Sequence, residues 1–325
     1  MPIPASTAAA FVTGATGFIG RRLIPALLQE GYPVAALTLP GEAHHLPGEV
    51  QIFRGDVTDM GALSAALSEA TPTHIFHLAA VGITDLALPM AEACRVNVGG
   101  VINVLEVTRG LPSVQRVVLA GTSYEYGARR ADDGLDPFNA YSASKVAAWA
   151  FARAAHNAWQ LPVVTVRPFQ VYGPGQRRNA VVPAAIAAAL RHEDFRMTLG
   201  EQQRDFIFVA DVVRGLLAAA EAPDIEGRVL DLGTGELHPV RDVVERIWDL
   251  TASKGRILAG ALPYRPGEVP AIPADVHRTR LLTGWQATIP LEQGLQRTID
   301  AMRAELDAES TVAAEGPQLE ADYVE

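Results

Sequence analysis

At 325 residues, with 49% hydrophobic and 20% charged side chains, the chain is long enough for one large or two closely joined cores. A formal charge of −10 leaves no basic field to collect phosphates and argues against a nucleic-acid partner. One cysteine, Cys94, excludes an internal disulfide framework and fits a reducing, cytoplasmic setting, where it is expected as a small buried hydrophobe.

No apolar run approaches the ~18 residues of a membrane span, so no membrane partner is expected. The opening MPIPASTAAAFVTG has no basic segment before its first apolar run, so no signal peptide is expected either. Short apolar runs alternate with amphipathic segments, a βαβα pattern that predicts an α/β fold built on a doubly wound parallel sheet. AAAFVTG (8–14) reads as a strand. FIGRRLIPALLQEG (18–31) reads as a helix closed by Gly31, with Pro25 predicting a kink or an adapted first turn, and PVAALTL (33–39) reads as the next strand. Further strands are expected at 50–56, 74–80, 116–122 and 162–168, with helices near 59–70, 92–109 and 139–159 between them. Beyond 170, VVPAAIAAALR reads as a helix and RDFIFVADVVRGLLAAAEA as a strand leading into a helix. GRVLDLGTG reads as one more strand of the first sheet, and 261–305 as proline loops with two helices. After Arg303 the chain carries seven acids and no base, which predicts an acidic disordered tail over 306–325.

GATGFIG sets Gly14, Gly17 and Gly20 at GxxGxxG spacing between the first strand and helix. The spacing suits a tight turn at Gly14, close approach of a pyrophosphate at Gly17 and helix–sheet packing at Gly20, with the helix N-terminus facing the anion. Thr16, Phe18 and Ile19 go with that loop as cofactor-facing candidates. An acid is expected at the end of the second strand to hold the adenosine ribose, yet Thr38 stands there. With Arg21 and Arg22 at the helix start as possible charge for a 2′-phosphate, the balance leans to NADP over NAD. Asp56 and Val57 follow the third strand, where Asp56 either faces the adenine or caps the next helix. Leu78, Ala79 and Ala80 close the fourth.

YSASK (141–145) holds Lys145, one of only two lysines against 25 arginines. Tyr141 and Lys145 lie one helical turn apart on one face. A free tyrosine titrates near 10, and a fixed ammonium together with a cationic nicotinamide ring favours its phenolate, which makes a base of it. Arginine's planar fork would not replace that lysine. The third member should end the preceding strand, where Thr122 or Ser123 offers a hydroxyl.

These elements together resemble the extended short-chain dehydrogenase/reductase family, the NAD-dependent epimerase/dehydratase group acting on nucleotide sugars. The matching stretches are GATGFIG, FHLAA (76–80), NVGGVINVLE (97–106), GTSYEYG (121–127), YSASK, RPFQVYGPGQ (167–176), QRDFIFVADV (203–212) and YRPGE (264–268). The resemblance implies Tyr141 as acid/base, Lys145 as its electrostatic partner and Thr122, five residues before Gly127, as donor to the substrate oxygen. It implies a Rossmann domain over 1–170 with 205–240 returning to it, and a nucleotide-sugar-binding domain over 171–305. It also implies a homodimer through the helices at 92–109 and 139–159.

Dehydratases of that family place an acid two positions after the threonine, and the related decarboxylases use a glutamate there. Tyr124 occupies the position here, so both reactions are disfavoured. Glu125 is one residue late and should face away. Between the two remaining reactions, the EYG ending and the neutral Thr38 resemble deoxysugar ketoreductases. The expected reaction is reduction of a 4-keto-6-deoxysugar nucleotide, with NAD-dependent 4-epimerisation as the alternative. A 4,6-dehydratase, or a non-catalytic dinucleotide sensor, stands behind both. The resemblance further implies that Arg204 and Arg265 grip the diphosphate, and that Ser123, Tyr124, Gln170 and Asn179 face the nucleotide sugar. Gln170 stands where the family usually has Asn. Eight histidines without HExxH spacing indicate no metal.

Overall fold

The computed structural model describes residues 8–42, 45–83, 87–127, 134–264 and 271–314, so Arg265 and the segment 315–325 lie outside the described residues. Six strands come from residues 10–168: β1 (Ala10–Thr13), β2 (Val34–Thr38), β3 (Gln51–Arg54), β4 (His74–His77), β5 (Arg116–Ala120) and β6 (Val163–Pro168). After the short strands β7 (Gln170–Tyr172), β8 (Phe195–Met197), β9 (Gln203–Arg204) and β10 (Phe206–Phe208), the chain returns to the sheet with β11 (Val229–Leu232). The seven-stranded order is β11-β6-β5-β4-β1-β2-β3, and every pairing in it is parallel. The order reverses between β1 and β4, which opens a crevice at the carboxyl ends of those strands.

Alternation along each strand explains the two layers. Phe11, Ile75 and Val117 turn to one face, while Val12, Phe76 and Val118 turn to the other, all fully buried. On the first face pack α2 (Met60–Ala70), α4 (Gly99–Arg109) and α5 (Ala140–Trp159) through Leu63, Val104 and Ala152. On the second pack α1 (Gly20–Gln29) and α7 (Val209–Glu221) through Leu23, Leu27 and Leu216.

Several local expectations are corrected. α1 starts at Gly20 rather than 18, and it runs through Pro25, which is exposed and removes only the amide that would reach the Arg21 carbonyl. Asp59, not Asp56, caps α2 by accepting from the Ala62 amide at 3.0 Å. The helix expected over 92–109 is broken into α3 (Met90–Ala93), one wide π-type turn at Cys94–Val98, and α4. That extra residue turns Asn97 inward, where its amide bonds both backbone groups of Val81 and the Ser144 hydroxyl. Cys94, on the same turn, is exposed rather than buried.

A second core lies beyond the sheet. α6 (Val181–Leu190), α8 (Val240–Thr251) and α10 (Leu291–Ala314) bury Ile186, Ile247, Leu295 and Ile299 against Tyr172 and Phe206. β12 (His238–Pro239) pairs antiparallel with β9, and β13 (Ile257–Ala259) runs parallel beside β8. α9 (Val276–Thr283) packs its Thr279 hydroxyl onto the Asp231 carbonyl at 2.9 Å. α10 continues to Ala314, so the tail expected to be disordered is helical up to that point. Its apolar face at Leu295, Ile299 and Met302 anchors it, and Glu309 reaches Arg178. Among the described residues no helix is long and apolar enough to cross a membrane, and no three His, Cys, Asp or Glu side chains form a group able to hold a metal ion.

Leu295 is fully buried at the centre of the second core. Leu295→Ala should lower the unfolding free energy by about 2–5 kcal/mol, read by urea denaturation.

Candidate active site

The glycine loop is shaped by what its glycines must avoid. Gly14 has φ +69°, and a Cβ there would stand 2.6 Å from the Ala79 amide nitrogen at the end of β4. A Cβ on Gly20 would lie 2.2 Å from the Gly14 carbonyl oxygen, so only glycine lets α1 start this close to β1. Gly17 differs, because its Cβ would meet only the Gly14 carbonyl oxygen, at 3.1 Å. The backbone is open on that side, and no side chain caps the start of α1. Uncapped amides beside an open glycine face fit an anionic group such as a pyrophosphate. Thr16, Phe18 and Ile19 lie around this loop, and Leu78, Ala79 and Ala80 are half-buried across the crevice.

The charge expected for a 2′-phosphate is engaged elsewhere. Arg21 donates to the Gly175 carbonyl and Arg22 to the Pro174 carbonyl, both at 2.9 Å, tying α1 to the loop after β7. Thr38 is buried, with its hydroxyl accepting from Arg54 at 3.0 Å. Asp56 accepts from the Thr58 amide at 2.9 Å, and Val57 is buried against Gly100.

β5 delivers Thr122, and α5 delivers Tyr141 and Lys145, so the structure brings together the three residues expected to carry the chemistry. Thr122 begins a tight helical turn, Ser123–Glu125, and its side chain is placed to ease ionisation of the Tyr141 phenol. α5 starts at a reciprocal cap between Asn139 and Ser142, which fixes Tyr141 in the first turn. Ser142 and Ser144 are buried and hydrogen-bonded, Ser144 donating to the Tyr141 carbonyl at 2.7 Å.

The electrostatics differ from the sequence expectation. Burial raises the Tyr141 phenol well above its ordinary value, against the Thr122 hydrogen bond and with the Glu125 charge adding to the rise. The Lys145 ammonium donates to the Ala120 carbonyl at 2.8 Å and lies 5.9 Å from the Tyr141 ring centroid. Burial brings Lys145 down to about 8, opposed by Glu125. In the free protein the phenol is therefore neutral, and the lysine alone does not ionise it.

Glu125 turns inward, as its position one residue late implied. Its Oε1 accepts from the Thr122 amide at 2.8 Å, and its Oε2 accepts from Arg167 Nε at 2.9 Å and Nη2 at 2.8 Å. Burial pushes its carboxyl up, while Arg167 and the Thr122 amide pull it back. Arg167 sits 4.6 Å from the Tyr126 ring centroid, and the Tyr126 hydroxyl donates to Asp231 at 2.8 Å. Sequence reading gave neither Glu125 nor Arg167 this role, and a charged pair at the ends of two buried strands was the available signal.

Ser123, Tyr124, Gln170 and Arg204 line one pocket, with Phe138, Phe169 and Asp205 completing its wall. Tyr124 stands edge-on to Phe138 with centroids 5.5 Å apart. Asp205 is held by the Thr234 and Gly235 amides at 2.8 and 2.9 Å. Asn179 is exposed and outside that lining, and the expected Arg265 falls outside the described residues. Asp211, in the first turn of α7, pins the segment at Thr288 and Ile289 by accepting from their amides.

A glycine cradle at the point where strand order reverses, facing a tyrosine–lysine pair and a strand-end hydroxyl, defines a dinucleotide-dependent oxidoreductase. Residues 10–233 match the NAD dependent epimerase/dehydratase family, and the chain belongs to that family. It is 30% identical over 315 residues to the UDP-glucose 4-epimerase of Mycolicibacterium smegmatis, covering 90% of this chain and 97% of that protein. It is 27% identical over 315 residues to the UDP-N-acetyl-alpha-D-glucosaminuronate decarboxylase of Bacillus cytotoxicus, with coverage of 90% and 97%. The solved structure of MoeE5 in complex with UDP-glucuronic acid and NAD aligns with a TM-score of 0.82 at 32% identity, over 92% of this chain and 100% of that one. This protein is accordingly an enzyme of nucleotide-sugar chemistry that works with a nicotinamide dinucleotide.

His77, at the end of β4, pairs its Nδ1 with the Thr13 hydroxyl at 2.8 Å, and its buried Nε2 has no partner among the described residues. Burial, with the Lys145 charge adding to it, lowers His77 to about 3 from 6.5. The unfolded chain therefore takes up this proton first, so stability is lost as pH falls from 6.5 toward 3. Between pH 7 and pH 5 that loss should be about 2 kcal/mol, and His77→Asn should show a correspondingly flatter dependence in urea titrations at the two pH values.

Proposed function

We propose that this enzyme 4-epimerises a UDP-linked hexose or hexuronate, with Thr122, Tyr141 and Lys145 as its catalytic residues. The observation that carries the reading is Tyr124 in the pocket wall, two positions after Thr122, with the neighbouring Glu125 locked inward on Arg167. Elimination at the sugar, or loss of a carboxylate, would want an ionisable acid on that wall. A hydride taken from C4 and returned to it needs none. Between the reductase and the epimerase left open by the sequence, the relatives support the epimerase. They include epimerases and a protein held with UDP-glucuronic acid and NAD, which favours epimerisation over the 4-ketoreduction first expected, and NAD over NADP.

When bound, the oxidised dinucleotide supplies a hydride acceptor and a positive charge beside the phenol. With that charge beside it Tyr141 would first release its own proton to solvent, and the phenolate then takes the proton of the sugar's C4 hydroxyl and returns it after the sugar has turned over. Thr122 donates to the same oxygen and holds it within reach of Tyr141. Lys145, anchored on the Ala120 carbonyl, keeps a cation under the tyrosine while Glu125 behind it favours its protonated form. Arg204 and Gln170 hold the diphosphate end, which lets the sugar rotate while the nucleotide stays fixed. We further propose a homodimer through α4 and α5.

Incubation with NAD and UDP-glucose or UDP-glucuronic acid should give the C4 epimer by NMR, without net formation of reduced cofactor. Stoichiometric oxidation of NAD(P)H by a 4-keto sugar nucleotide would replace this reading with the reductase. A 4-keto-6-deoxy or decarboxylated product would refute it outright. Tyr141→Phe should lower turnover by roughly 10²–10⁴-fold while still binding dinucleotide, as measured by steady-state assay and fluorescence titration.

A further inference from the structure

The second strand ends in a neutral residue, yet a carboxylate arrives there by another route. Glu42 lies four positions beyond Thr38 and 22 beyond Gly20. The chain from Leu39 folds into a turn in which the Glu42 amide donates to the Leu39 carbonyl at 3.2 Å, and the Leu39 amide donates to Glu42 Oε2 at 3.3 Å. The turn brings Glu42 Oε1 to the glycine loop, where it accepts from the Thr16 hydroxyl at 2.9 Å. Arg54, at the end of β3, fastens the turn from below. Its Nη1 donates to the Thr38 hydroxyl at 3.0 Å, the Leu39 carbonyl at 3.3 Å and the Glu42 carbonyl at 2.8 Å.

In a doubly wound sheet the adenosine ribose of a dinucleotide lies between the glycine loop and the carboxyl end of the second strand. Glu42 joins those two elements. We infer that Glu42 reads the adenosine ribose and selects NAD against NADP, doing from the loop what the strand end does not. The inference rests on the dinucleotide binding at the glycine loop.

The chemistry is one of charge and hydrogen-bond count. A carboxylate accepts from a vicinal diol through two oxygens. A 2′-phosphate removes one hydroxyl donor and brings a charge near −2 against the carboxylate, in a site partly shielded from water. The arginines on the elements involved are Arg54 at the end of β3 and Arg21 and Arg22 at the start of α1. Arg54 Nη1 is occupied by three oxygens of the turn itself, and Arg21 and Arg22 are bonded to carbonyls of the 174–175 loop. The lean toward NADP drawn from Thr38 and the two arginines is thereby reversed.

Fluorescence titration of the full chain with NADH and with NADPH tests this without any substrate. The unaltered protein should bind NADH roughly tenfold or more tighter than NADPH. Glu42→Gln keeps the side chain's length and removes its charge, and it should tighten NADPH by roughly tenfold while moving NADH by less than about threefold. Equal or stronger binding of NADPH by the unaltered protein overturns the inference, as does an unchanged NADH-to-NADPH ratio in Glu42→Gln. Failure of the unaltered protein to bind either nucleotide removes the dinucleotide site itself, and this inference with it. Circular dichroism melting of the variant close to that of the parent ties any change to the ribose site.

Discussion

Thr122 stands where it does because Glu125 and Arg167 form an ion pair in the interior, and the active site is built around that pair. Two charges taken out of water cost several kcal/mol each, and they are tolerated only where their hydrogen bonds are complete. Here the carboxylate meets the requirement with the Thr122 amide and two guanidinium N–H groups. The turn after β5 is thus bolted to β6, and Thr122 inherits its position from that bolt. The support extends further. Arg167 lies over Tyr126, Tyr126 bonds Asp231 on β11, and Asp231 accepts from the Asp275 amide where α9 begins. One polar path therefore runs from the proposed oxygen-binding hydroxyl to the edge of the sheet and on to the start of α9.

The same low-dielectric surroundings decide the proton chemistry. Tyr141 held in a dry site is a weaker acid than free tyrosine, so it is not a base by default. Lys145 pulled down to about 8 is close to the point where it gives up its charge, and Glu125 opposes that loss. An arginine in its place would keep its charge regardless and would bring a wide fork to a spot that holds one Nζ on one carbonyl. In a chain with only two lysines, that is a physical account of why one of them is here.

Much of this was legible in the sequence because it rests on local pattern. Fully buried parallel strands read as short apolar runs, and the glycine spacing, the tyrosine–lysine pair and the strand-end threonine sit at fixed offsets within single elements. What escaped depends on contacts between distant segments. Glu42 reaches Thr16 only through a turn that Arg54 closes, so reading the strand end by position found Thr38 and missed the carboxylate. The π-type turn at Cys94–Val98 follows from where Asn97 must point, which helical periodicity does not encode. The acidic stretch after Arg303 reads as disordered by charge, yet the helix begun at Leu291 carries it forward to Ala314. The choice of reaction rested on Thr38 and the EYG ending, two single positions, and the epimerases among the relatives favour the alternative weighed beside the reductase.

Gly121 limits how such a chain can change over time. A Cβ at that position would stand 2.4 Å from Glu125 Oε1, so the carboxylate fills the room that the glycine leaves. No side chain can enter position 121 while Glu125 remains. If Glu125 is lost first, Arg167 loses the carboxylate it pairs with in the interior. Positions 121, 125 and 167 are therefore a locked combination: none can drift by itself, and a lineage that departs from this set must replace all three through intermediates less stable than either end.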